Sequence, residues 1–118
     1  MGFLKGLSET SEEIHAHHTR EWCKEVEGVQ DVTECKERTR RRVAGVVESI
    51  KLRPSQFSNT LEVTLYDGTD RIIGVWLGRK SIPGIDLGTH LVIEGTVGQF
   101  EPGPLRIINP AYELLPGE

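Results

Sequence analysis

Hydrophobic and polar positions alternate with a period of two through the second half of the chain and follow a looser helical spacing near its start. The alternation is cleanest from Thr60 to Tyr66, where Leu61, Val63 and Leu65 fall on one face and Thr60, Glu62, Thr64 and Tyr66 on the other. The first set is expected in a core and the second exposed. Asp67-Gly68 begins a hairpin turn, and Arg71 to Leu77 continues as a strand apolar on both faces. A strand from about Arg41 to Leu52 precedes this hairpin, with Gly45 suited to a bulge or sharp coil. The loop from Arg53 to Asn59 carries Pro54 and Asn59 as turn formers. Gly78 to Gly88 reads as a loop or one short helical turn. Strands from His90 to Phe100 and from Leu105 to Ile108 follow, parted by the turn Glu101-Pro-Gly-Pro104.

The first forty residues obey a different rule. Thr10 with Glu13 three residues later fits a capping box, and the residues from there to about Glu27 favour helix. Ile14, His18, Trp22 (or Cys23) and Val26 recur at spacings near four, a narrow stripe. Gly28 is a suitable stop. So few apolar residues oblige the helix to dock on the strands, pair with a partner or fray. Gly28 to Arg38 then forms a connector, with Val29 and Val32 packing at the rim. The chain therefore divides into residues 1–39, an acidic helix and connector, and residues 40–118, the strand domain.

Five short strands with a gap after the third are the order of an OB-fold. The expected fold is mainly β: a five-stranded Greek-key OB-fold barrel with an N-terminal helical arm. That architecture binds oligonucleotides on strands 2 and 3 and on two loops. A length of 118 residues suits one domain. No apolar run reaches the roughly 20 residues of a membrane span, and the opening MGFLKGLSETSEE lacks a secretory pattern. The expectation is a soluble, cytoplasmic protein. Cys23 and Cys35 are too few for a disulfide framework and are expected as thiols.

Net charge is −4, and its distribution matters more than its size. Residues 1–39 hold five Lys/Arg against nine Asp/Glu, while residues 40–118 hold nine of each. The strand domain is neutral, so a phosphate-binding footprint has to come from local clustering. A single-strand site needs cations along the backbone path and aromatic faces for stacking. The candidates are Arg42 at the start of the first strand, Arg53 and Phe57 in the loop after it, Tyr66 on the exposed face of the second, Arg71 opening the third, Arg79 and Lys80 after it, and Arg106 on the fifth. The opposing reading has Tyr66 and Phe57 capping the edge of the barrel and the arginines solvating it. Trp76, in alternation with Ile72 and Gly74, is expected inward, and Trp22 is expected to dock the helix. Arg40-Arg41-Arg42 with Arg38 is the densest basic run. It grips phosphate in one reading; in the other it is split by alternation and neutralised by Glu34 and Glu37. The acidic helix folding back over this run would inhibit binding.

The runs VAGVVESIKLRP, LEVTLYDGTDRIIGVWLGRKSIPGIDLGTHLVIEGTV and RIINPAYELL resemble the small OB-fold nucleic-acid-binding proteins of actinobacteria, which are similar to the wedge domain of the RecG branch-migration helicase. The resemblance covers about residues 40–115. Its most specific elements are Leu65-Tyr66-Asp67-Gly68, Val75-Trp76-Leu77-Gly78-Arg79, Ile82-Pro83-Gly84-Ile85 and Asn109-Pro110-Ala111-Tyr112-Glu113-Leu114. Gly74 departs from the pattern, which has a larger apolar residue there, and implies a smaller core side chain or a neighbour filling the gap. The resemblance implies binding of single-stranded or branched nucleic acid, DNA favoured, in DNA repair or recombination.

His15, His17 and His18 with Cys23 and Cys35 lack the paired spacing of a zinc site, and no metal or other cofactor is expected. No nucleophile elbow, HExxH, phosphate loop or carboxylate pair is present, and Asp67 and Asp70 read as turn formers, so no catalysis is expected. Two functions remain: a non-catalytic module holding nucleic acid, and a protein-interaction adaptor in which the barrel or the acidic helix docks a partner protein.

Overall fold

The computed structural model describes residues 2–54, 56, 58–99 and 102–116, with side chains from Glu13 onward. Its elements are α1 (Gly2–Lys24), a single 3-10 turn (Val32–Glu34), β1 (Arg40–Pro54), β2 (Asn59–Tyr66), β3 (Arg71–Leu77), β4 (His90–Gly98), β5 (Leu105–Ile108) and β6 (Ala111–Leu115). The protein is mainly β. Its strands form one sheet in the order β1-β2-β3-β5-β4-β6, and a further β1–β4 pairing closes the first five into a ring of hydrogen bonds. All pairings are antiparallel except β3 with β5.

Ring closure depends on the length of β1. Arg40–Val46 pairs with β4, and Val46–Pro54 pairs with β2, so one strand serves two neighbours. The register shift between Val47 and Ser49 makes Glu48 the extra residue. The bulge expected at Gly45 thus falls three residues later. Gly45 meets a different constraint: a Cβ there would lie 3.0 Å from the Tyr66 carbonyl and 3.1 Å from the Leu65 Cβ. Glycine lets β1 cross close over the end of β2.

The interior of the ring is filled as the alternation predicts. Leu61, Val63 and Leu65 from β2, Ile72 and Trp76 from β3, Leu91, Ile93 and Val97 from β4 and Ile107 from β5 form one apolar cluster with Val43 and Val47. Trp76 is inward, and its ring edge lies 2.9 Å from where a Cβ on Gly74 would stand. The indole therefore occupies the volume that a larger residue 74 would need. Tyr112 of β6 meets Trp76 edge-on, with centroids 5.9 Å apart. Ile82 and Ile85, from the loop between β3 and β4, are buried in the same cluster and plug the ring.

The helix departs from its expected form in start and in face. It runs from Gly2 to Lys24, so Thr10 lies inside it, and it ends before Glu27. Gly28, at φ +80°, turns the chain into the connector. Ile14 and His18 face solvent; the side that docks carries Ala16, Thr19 and Cys23, with Trp22 at its flank and Val26 packing just past the helix end. Proximity explains the choice. A Cβ on Gly68 would sit 2.6 Å from the Ala16 carbonyl and 2.6 Å from the Arg20 Cβ, so the helix passes over the β2–β3 turn with no room for bulk. Cys23 packs with Ala44 and Val92 on the outside of β1 and β4, and its thiol donates to the Ala44 carbonyl at 3.2 Å. Trp22 docks as expected, edge-on to His90 at 4.2 Å.

Asp67 ties these parts together. One carboxylate oxygen accepts from the Thr69 amide (2.8 Å), the Thr69 hydroxyl (2.6 Å) and the Asp70 amide (3.1 Å), which fixes the turn. The other accepts from the Val32 amide at 2.7 Å and thereby holds the connector, whose Val32 and Cys35 enter the main core. The residue is 2% exposed. Asp67 was expected only as a turn former; it also anchors a segment 35 residues away in sequence.

Two outcomes follow from this packing. Asp67→Ala strands the buried Val32 amide and removes the acceptor of three part-buried turn donors, and should lower the unfolding free energy by about 3 kcal/mol, read by urea denaturation. Burial, helped by the charges of Asp67 and Asp31, pushes the Cys23 thiol from 9.0 up to about 12. The unfolded thiol ionises first, so stability should fall as pH climbs from about 9 towards 12, and the Cys23→Ala variant should lose that part of the slope.

Candidate functional site

Residues opposite one another in an antiparallel pair share a face, so register alone sorts the outward side chains. On one side of the ring the outer face runs from Ser49, Lys51 and Arg53 of β1, across Thr60, Glu62, Thr64 and Tyr66 of β2 and Arg71, Ile73, Val75 and Leu77 of β3, to Arg106 and Ile108 of β5. Four expected site residues meet here: Arg53, Tyr66, Arg71 and Arg106. Arg79 and Lys80 are exposed in the turn after β3, beside the Arg53 end of the face, where the Gly78 amide donates to the Asn59 carbonyl at 2.7 Å. Phe57 lies outside the described residues. Six residue rises separate Arg71 from Leu77, about 20 Å of face.

The cations on this surface are of two kinds. Arg53 and Arg106 converge on one carboxylate: Arg53 Nε is 3.0 Å and Arg106 Nη1 is 3.3 Å from Glu62 Oε2. Glu62, expected to be exposed from the alternation, is only 8% exposed, because the two arginines and the neighbouring strands cover it. At the other end Arg71 Nε lies 2.7 Å from Glu48 Oε1, and its guanidinium sits 4.5 Å from the centroid of the Tyr66 ring. The Glu48 hydrogen bond pushes the Arg71 pKa above its ordinary value. Tyr66 therefore shows one ring face that is already occupied. Lys51, Arg79 and Lys80 carry no ion pair among the described residues.

Arg42 stands apart from this group. It points outward between β1 and β4, where Nη2 is 3.1 Å from Glu113 and Nη1 is 3.5 Å from Glu94, while Nε donates to the Glu27 carbonyl at 3.1 Å. Arg40 also pairs with Glu94, at 3.1 Å. The basic run is thus split by strand alternation, and its Arg40 and Arg42 are paired by carboxylates of β4 and β6 and not by Glu34 or Glu37. Arg41 turns the other way and keeps a buried Nε without a hydrogen-bond partner among the described residues. Among the described residues the helix places no acidic side chain in an ion pair with this run. It docks through Cys23 and Trp22, and residues 32 and 35 belong to the core, so removing residues 1–38 would open the core instead of only uncovering cations.

Glu62, Glu48 and Lys51 were missed as site residues. Lys51 was legible, since it lies two residues from Arg53 on the same strand. The carboxylates were not, because a pairing across strands needs the register. Among the described residues no three His, Cys, Asp or Glu side chains gather as metal ligands, and no helix is long and apolar enough to cross a membrane.

Glu62 keeps two guanidiniums in place, so the single variants should differ. Arg106→Ala removes the more buried partner and should cost about 1–2 kcal/mol of stability, whereas Arg53→Ala, at the solvent edge, should cost under about 1 kcal/mol by thermal or urea denaturation. No protein-family model matches this chain, and no curated protein matches it in sequence.

Proposed function

We propose that this chain is a five-stranded Greek-key barrel of OB-fold type that binds single-stranded or branched nucleic acid and catalyses nothing. The observation that carries the reading is the connectivity of the ring: β1, β2 and β3 antiparallel in sequence order, β3 parallel to β5, and β4 between β5 and β1. That connectivity supports an OB arrangement, in which strands 2 and 3 would present the ligand face. In this chain the same face carries Tyr66 and the cations Lys51, Arg53, Arg71 and Arg106, with Arg79 and Lys80 in the turn beside it.

Lys51, Arg79 and Lys80 make the first phosphate contacts, because no carboxylate has to leave them. Arg53, Arg71 and Arg106 follow by exchanging Glu62 and Glu48 for phosphate, which lowers the net gain from each. Stacking on Tyr66 contributes about 1–3 kcal/mol per base, less the cost of moving Arg71 off the ring. Affinity should be moderate. The resemblance to actinobacterial OB-fold proteins and the RecG wedge favours DNA and a cytoplasmic role in repair or recombination. Leu77 and Ile108, exposed and apolar on the same face, favour a second reading, the docking of a partner protein.

Fluorescence anisotropy with labelled single-stranded, duplex and forked DNA at low and physiological salt separates the two. Binding that weakens steeply with salt and drops about tenfold in a Tyr66→Ala/Arg79→Ala variant is the expected result. No binding at low salt removes the nucleic-acid reading and leaves the adaptor.

A further inference from the structure

The outer surface also holds a hollow that strands 2 and 3 do not form. It is a cleft of about 780 Å³ between the start of β1, the end of β4 and the turn from β5 to β6, lined among others by Arg38, Arg40, Thr96, Gln99, Ile108 and Asn109. Register accounts for it. The outward residues of β4 here are Thr96, opposite Arg40, and Gly98, opposite Arg106. Gly98 carries no side chain, and Ala111 on the far wall ends at a methyl group, so the floor beside Ile108 stays open.

We propose that this cleft binds a nucleoside monophosphate, either free or as one unpaired residue of a strand. The phosphate lies at the Arg38–Arg40 rim and the base lies on the Ile108 floor. Arg38 adopts φ 68°, and its amide donates to the Val97 carbonyl at 2.7 Å, which pins the backbone at the rim. Its side chain is exposed and carries no ion pair among the described residues. Arg40 is held beside it by Glu94. A phosphate thus finds one guanidinium unpaired and a second already oriented.

The opposite wall suits a base. Ile108 is 39% exposed and offers an apolar surface for a flat ring. Asn109 spends its Oδ1 on the Leu77 amide at 2.9 Å, which leaves its two amide N–H donors for an acceptor on the base. Gln99 spends Nε2 on the Gly103 carbonyl at 2.5 Å, which leaves Oε1 to accept. Donor and acceptor therefore flank an apolar floor, and the volume falls in the ordinary range for small-ligand sites. Glu37 and Glu94 line the same rim, so a single phosphate fits the charge there better than a polyphosphate. The inference rests on the nucleic-acid reading only for the class of ligand; the cleft adjoins the outer face of β2, β3 and β5 at Ile108 and is otherwise built from the start of β1, the end of β4 and the β5–β6 turn.

The test is a titration of the full chain, followed by amide chemical shifts, with AMP, adenosine, inorganic phosphate and a short single-stranded oligonucleotide in turn. AMP should shift residues 94–99 and 108–111 saturably, and more tightly than adenosine or phosphate. Arg38→Asn, which tolerates the same backbone angle, should weaken AMP about tenfold, as the loss of one charged hydrogen bond implies. Ala111→Trp, at an exposed position, should abolish it by filling the cleft. An oligonucleotide whose binding Ala111→Trp also weakens identifies a strand residue as the source. AMP binding with no oligonucleotide binding keeps the cleft and removes the nucleic-acid reading. The proposal is overturned if AMP causes no saturable shift, if its binding survives Ala111→Trp, or if phosphate alone binds as tightly. Oligonucleotide binding untouched by Ala111→Trp, with AMP silent, overturns the cleft while the nucleic-acid reading stands.

Discussion

The carboxylate of Asp67 joins parts of the chain that sequence distance keeps apart. Through one oxygen it closes the turn between β2 and β3, and through the other it receives the Val32 amide. The turn is thereby rigid enough to serve as the surface on which α1 lies, and the connector is delivered to the core beneath. Burying an ionised carboxylate is costly unless its lone pairs are used, and here four donors use them. The helix, the connector and the hairpin stand or fall as one packed unit. Gly68 completes the arrangement, since any side chain there would collide with the Ala16 carbonyl and the backbone of Arg20.

A different economy governs the outer face of β2, β3 and β5. Most of its arginines are already matched to carboxylates, at Glu62 and Glu48. Such pairs near the surface add little to stability, but they restrict where guanidiniums can stand. A face built this way presents oriented donors at its arginines, and among the described residues it confines unpaired positive charge to Lys51, Arg79 and Lys80. The acidic balance of the whole chain and the neutrality of residues 40–118 agree with that restraint.

How much of this was legible depended on the kind of interaction. β3 and β5 were read with their observed bounds and β2 to within one residue, because strict alternation between turn residues leaves little freedom. β6 was missed: Ala111 to Leu115 follows a proline, is short, and exposes most of its residues, so it lacks the pattern of a buried strand. The helix face was misjudged for a physical reason. Close packing on the Gly68 turn selects small side chains, and Ala16, Thr19 and Cys23 scarcely register on a hydrophobic stripe. Glu62 was placed on the correct face of β2, but alternation cannot reveal that Arg53 and Arg106 arrive from other strands to cover it. The cleft near Arg38 was illegible for the same reason, since its walls come from segments about seventy residues apart.

Closure of the ring has one more effect. A strand inside a closed ring offers no unpaired backbone to a neighbour, whereas β6 bonds only to β4 and has its far side free among the described residues. An exposed strand edge is a template on which other chains can add. Here Pro110 and Pro116 bracket the strand, and Glu113 places a charge at its middle, held by Arg42. The segment is too short and too interrupted to recruit a second strand of useful length. The same short strand that brings Tyr112 edge-on to Trp76 is therefore also a poor template for aggregation.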